Sequence, residues 1–180
     1  MFSWMPFDTT PQAGANAREY RAALGAFPTG VCLITTARAG NKPEGLTANS
    51  FSSVSIDPPL VLWSLANHAA SAEAFIKARH YAIHVLGADD GALALHFARP
   101  AADKFAAYAG RFATGLGGCP VLEGTAAVFE CAAYSQHQGG DHTIFVGRVE
   151  AFQCNPVEPL GFLAGKLAPI KLADSPASGK

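Results

Sequence analysis

The chain has 180 residues, 49 % hydrophobic and 15 % charged, with a formal charge of −1. That length fits one domain with a real core, and so apolar a composition predicts that a second subunit covers part of the surface, making a homo-oligomer the default. Lys and Arg are dispersed, which excludes the cationic footprint that nucleic-acid or anionic-membrane binding requires.

Cys32, Cys119, Cys131 and Cys154 form no CxxC pair and lie in or beside apolar stretches. They read as buried, reduced thiols rather than a disulfide framework. No basic start leads into an apolar stretch of signal length, and no apolar run approaches the ~20 residues of a membrane span. A cytoplasmic protein is expected.

Residues 1–15 carry Pro and Gly without periodicity and read as an N-terminal arm, whose Phe2, Trp4 and Phe7 suit docking on a partner subunit. Asn16 with Glu19 resembles a capping box, and Tyr20, Ala23, Leu24 and Phe27 follow helical spacing, so a short amphipathic helix is predicted to end near Pro28. "VCLITTA" (31–37), the turn "RAGNKPEG" and "LTANSFSSVSI" predict a hairpin, with "PLVLWSL" (59–65) as the next strand. Ser71 stands as N-cap before "AEAFIKAR", "HYAIHVL" (80–86) returns to strand, and Asp89 or Asp90 caps a helix through Phe97.

A Gly-rich excursion follows, and then "TAAVFECAAYSQ" and "HTIFVGRVEAF" predict long strands joined through "HQGGD". The end, 171–180, reads as a frayed tail and 16–170 as one domain. Six or more strands with hairpin connections and short helices predict a mainly β, antiparallel barrel.

Hydroxyls crowd residues 47 to 55. On one strand Phe51, Ser53 and Ser55 would share a face, and Ser52, Val54 and Ile56 the other. Either this is a solvent-exposed edge, or Thr47 to Ser53 offer donors to a polar ligand. Ser71, at a helix start beside Asn67 and His68, is an ordinary cap or an anion site. Gly139 and Gly140 permit a sharp turn that presents His142 at a strand mouth. Gly165 and Lys166 bring backbone and a cation to one turn. His80 and His84 would lie roughly 13 Å apart on a strand, too far to share a metal ion, so no metal site is expected. GxSxG, P-loop and GxGxxG fingerprints are missing from the sequence.

Taken in order, "FPTGVCLITT", "GLTANSFSSVSIDPPLVLWSL", "HYAIHVL", "FARPAADKFA", "GCPVLEG", "GGDHTIFVGRVEAF" and "PLGFLAGK" resemble the flavin reductase family over roughly residues 18 to 167. These are reductase components of two-component flavin-dependent monooxygenases, with a homodimeric FMN-binding split β-barrel. The resemblance implies that Thr47, Ala48, Asn49, Ser50 and Phe51, with Ser53 and Val54, line the flavin. It sets the flavin phosphate near His68, Ala70 and Ser71, helped by Arg99 and Lys104. By the same analogy His142 and the segment Gly165, Lys166 and Leu167 meet the nicotinamide nucleotide.

The implied activity is NAD(P)H:flavin oxidoreduction, with FMN or FAD receiving hydride from NADH or NADPH, and reduced flavin diffusing to a separate monooxygenase. His142 would orient the nicotinamide or the flavin edge. One alternative keeps the flavin bound and reduces ferric iron or a corrinoid. Another is a non-catalytic flavin- or haem-binding split barrel, hinted at by Leu163 and Leu167, where the family often has an aromatic residue.

Overall fold

The structure, a computed structural model, describes residues 16–101 and 103–171. The N-terminal arm, with Phe2, Trp4 and Phe7, and nearly all of the expected tail lie outside the described residues. Helix α1 (Ala17–Leu24) leads to β1 (Thr29–Gly30), β2 (Cys32–Arg38), β3 (Lys42–Ala48), β4 (Ser52–Ser55) and β5 (Leu60–Ala66). Next come α2 (Ala72–Lys77), β6 (His80–Val85), α3 (Gly91–Ala98), β7 (Phe112–Thr114) and β8 (Pro120–Leu122). The chain closes with β9 (Ala127–Gly139), β10 (His142–Cys154), β11 (Leu160–Leu163) and β12 (Lys166–Pro169).

The fold is mainly β with short helices, and every strand pairing is antiparallel. Seven strands form the main sheet in the order β3-β2-β6-β9-β10-β5-β4; β1-β11-β12 and β7-β8 form smaller sheets. Among the described residues, no helix is long and apolar enough to cross a membrane.

Two apolar clusters hold these layers together. In the first, Trp63 of β5 stacks on Phe145 of β10 with ring centroids 4.6 Å apart, and meets Phe75 of α2 edge-on at 5.0 Å. These fully buried rings lock α2 onto the sheet, since aromatic pairs add to the area they remove from water. The second cluster joins Leu33, Leu86, Leu93, Phe97, Leu122 and Leu160, fastening α3 and β11 to β2.

Several sequence expectations change. The segment 45–56 is not one strand: the chain turns a corner between Ala48 and Ser52, so the face assignment across Phe51 fails. The β2–β3 turn tightens to Ala39–Asn41, with Gly40 and Asn41 at positive φ. Helix α1 starts where expected but buries none of its residues, leaving Tyr20, Leu24 and the following Phe27 exposed. Ser71 precedes α2, yet its backbone is already helical and its hydroxyl makes no cap bond. Asp90 precedes α3 but turns its carboxylate back to the Gly87 N–H, 3.0 Å, and to Arg111, 2.7 Å. Cys32, Cys119 and Cys131 are buried free thiols; Cys154 is exposed, because the far end of β10 outruns its neighbour β5.

Candidate functional site

A groove of about 990 Å³ opens between the end of the β2–β3 hairpin, the start of α2 and the strap that leaves α3. Leu65 and Phe97 supply apolar wall, while Thr47, Ser71, Lys42 and Lys104 supply polar groups. Arg38, Lys42 and Lys104 face it as cations against Glu44 and Asp103 as carboxylates. An apolar-walled cleft with a few convergent donors and a cationic excess suits a flat aromatic ligand with an anionic tail.

Its geometry follows from local chemistry. The Thr47 hydroxyl donates to the Ala94 carbonyl at 2.7 Å, fastening β3 to α3 and keeping its lone pairs available. Lys104 donates to the carbonyls of Gly45, 3.1 Å, and Phe97, 2.9 Å, which pins the strap to the same two elements. Burial in that wall holds its ammonium below the usual lysine range, opposed by the nearby Glu44 carboxylate. Arg38 pairs with Glu44 at the far rim.

Of the residues singled out in the sequence, Thr47, Ala70, Ser71 and Lys104 come together in this groove. Ala48 ends β3 beside it, and Asn49, Ser50 and Phe51 form the adjoining corner. The Asn49 amide reaches the Thr29 hydroxyl at 3.4 Å. The Phe51 ring stacks on Phe129 at 5.6 Å, so it packs into the first cluster. Ser53 and Val54 are exposed on the edge strand β4. Arg99 is exposed and does not line the groove.

His142 sits elsewhere, at the mouth of β10, paired with Ala66 of β5. Its Nδ1 lies 2.7 Å from the Asp141 carboxylate. The hydrogen bond from His142 and the charges of His142 and His68 hold that carboxyl below its usual range. His68 and His142, assigned to different ligands in the sequence, thus meet at one corner. Ala164 and Gly165 turn the β11–β12 hairpin, with the Ala164 N–H donating to the Gly25 carbonyl after α1; Lys166 opens β12 opposite Leu163, and Leu167 packs into the second cluster. The sequence reading missed Arg38, Lys42, Leu65 and Phe97. The signal for the first two was the pair of cations flanking "AGN", read only as a turn.

Comparison with known proteins gives a consistent picture. The flavin reductase like domain matches residues 24–171. The chain is 42 % identical over 163 residues to the "Probable flavin reductase" of Rhizobium meliloti, covering 91 % of this chain and 52 % of that protein. It is 45 % identical over 158 residues to "FMN reductase (NADH) SmoA" of Agrobacterium fabrum, covering 84 % and 85 %. Against "Stachydrine N-demethylase reductase subunit Stc3" of Rhizobium meliloti, identity is 42 % over 150 residues, covering 83 % and 64 %. The chain therefore spans about half of the first of these proteins and under two thirds of the third. Among solved structures, the NADH:FAD oxidoreductase SgcE6 of Streptomyces globisporus superimposes with a TM-score of 0.81 at 32 % identity, covering 100 % of this chain and 98 % of that one.

Proposed function

The chain belongs to the flavin reductase-like family, and from that premise we propose that it is an NAD(P)H:flavin oxidoreductase whose flavin lies in the groove between β3, α2 and α3. The observation that carries the reading is that groove itself: apolar walls at Leu65 and Phe97, with Thr47, Ser71 and three cations converging on it. Bound there, the flavin supplies a ring nitrogen, N5, that accepts hydride from the nicotinamide.

The chain's own residues bind and orient. Thr47, Ala48 and Asn49, with the backbone at Ser50 and Phe51, line the flavin ring, and Ser53 and Val54 extend that rim. His68, Ala70 and Ser71 receive the phosphate, with Lys104 and Arg99 adding positive charge. His142 positions the nicotinamide together with Gly165, Lys166 and Leu167. Lys104 shapes the wall as well, since two of its donors are held by backbone carbonyls.

Residues 16–170 act as the functional domain, a split barrel that works as a homodimer. Phe27, Ile56 and Phe152 support the dimer: each is large, apolar and at least 75 % exposed in the single chain. Reduced flavin passes to a separate monooxygenase; that the stachydrine N-demethylase relative is a reductase subunit, distinct from the component it serves, supports the separation. The protein acts in the cytoplasm.

Oxidation of NADH and NADPH by the purified protein, with added FMN, FAD or riboflavin, tests the activity, and its sedimentation the dimer. Turnover with at least one pair is expected. No turnover with any pair overturns the reading in favour of a non-catalytic flavin-binding protein.

A further inference from the structure

A second groove, of about 760 Å³, adjoins the first, and Arg38 lines both. Its other walls are the Ala39–Asn41 turn, the face of α2 that carries Glu73, Ala74 and Lys77, the segment from Ala78 to His80, and Gly117. Three cations, Arg38, Lys77 and Arg79, face it against one carboxylate, Glu73, so its field attracts anions.

The charges are not equally engaged. Lys77 spends itself on Glu73 at 2.5 Å. Arg38 pairs with Glu44, which lines the first groove, and its charge also reaches Glu73, so it stands as a ridge between the two clefts. Among the described residues, the Arg79 guanidinium has neither hydrogen bond nor ion pair. Beside it the His80 ring lies against the backbone of Gly117: a Cβ at Gly117, whose φ is +63°, would fall 2.4 Å from His80 Nδ1. The groove thus combines a planar ring wall with free positive charge.

Resting on the flavin reading above, we propose that this second groove holds the adenylate half of FAD, with the flavin half in the first groove. FMN ends at its single phosphate, whereas FAD continues through a second phosphate to adenosine. A cleft that continues the first across a shared arginine, with cations in excess and an imidazole wall for a base, matches that continuation. Arg38 and Arg79 meet the pyrophosphate, and His80 faces the adenine.

Titration of the purified full chain with FMN, FAD and AMP tests this by dissociation constants rather than turnover. Wild type binds FAD at least about tenfold more tightly than FMN, and Arg79→Glu and Arg79→Gln remove that preference, as loss of a charge-assisted contact to phosphate requires. Equal affinity for the two flavins, a preference for FMN, or variants that weaken both flavins alike overturns the proposal. So does a variant whose only change is a higher KM for NADH, since the groove would then serve the nicotinamide nucleotide. Wild type that binds no flavin fails the flavin reading and takes this proposal with it. FMN binding without preference for FAD fails this proposal alone.

Discussion

The hydroxyl of Ser50 closes two hydrogen bonds on the backbone of one residue, Ser64, accepting its N–H at 2.9 Å and donating to its carbonyl at 3.0 Å. Ser52 pairs with Leu62 across β4 and β5, and two further residues along that register bring Ser50 opposite Ser64. The ladder has ended there, so the side chain stands in for a missing strand. Ser50→Ala strands both backbone groups. A loss of about 1–3 kcal/mol is expected in urea unfolding, with weaker flavin binding because the corner at Asn49 loosens. Unchanged stability would show that water replaces the hydroxyl without cost.

Gly147 of β10 faces the buried Tyr81. A Cβ there would fall 2.5 Å from the Tyr81 hydroxyl and 3.0 Å from Cys131 Cβ. Tyr81 is 1 % exposed and cannot swing away. Gly147→Ala is therefore expected to destabilise by about 1–3 kcal/mol through overpacking. Adding Tyr81→Phe removes the nearest atom and restores part of that loss, which a double-mutant cycle on unfolding free energies measures. Strictly additive effects would disprove the contact.

The same residues explain what the sequence revealed. The apolar strands and the order of elements were legible because "PLVLWSL" and "HYAIHVL" carry their burial in their composition. The corner at Asn49–Phe51 was not, because a side-chain hydroxyl replaces a strand there and no periodicity records it. Thr47 and Ser71 were legible as candidate site residues through their hydroxyls beside apolar runs, whereas Lys104 came from the family resemblance alone. Arg38 and Phe97 were hidden by distance: one ends a strand and the other a helix, and only the fold brings them to one groove. The α1 pattern misled for the opposite reason, since Tyr20 and Leu24 follow helical spacing yet are both more than half exposed.

His84 makes the fold sensitive to acid. Its Nδ1 donates to the Leu33 carbonyl at 2.9 Å, while Nε2 is buried without a partner. Desolvation pushes its pKa from 6.5 down to about 4, opposed by the bond to Leu33. Between those values the unfolded chain binds a proton that the folded chain refuses. Stability is therefore full above pH 6.5 and falls as the pH drops toward 4, by about 3 kcal/mol in total. Urea titrations across that range measure the slope, and His84→Gln, which keeps a donor for Leu33, should flatten it. An equal slope in the variant would assign acid sensitivity to other groups.

The role proposed for His142 can be tested at its corner, the mouth of β10. With Nδ1–H directed at Asp141, Nε2 is left at the mouth of β10, where it suits the carboxamide of a nicotinamide. The same corner holds His68, whose charge reaches Asp141, and His68 belongs by the proposal to the flavin phosphate. The two uses separate kinetically. If His142 serves the nicotinamide, His142→Ala lowers kcat/KM for NADH by about tenfold, as loss of one hydrogen bond implies, and leaves the flavin dissociation constant within about twofold. If it serves the phosphate instead, the flavin constant rises and kcat at saturating flavin is kept. Stopped-flow reduction together with flavin titration of one variant distinguishes them, and no change in either measurement would remove His142 from the site.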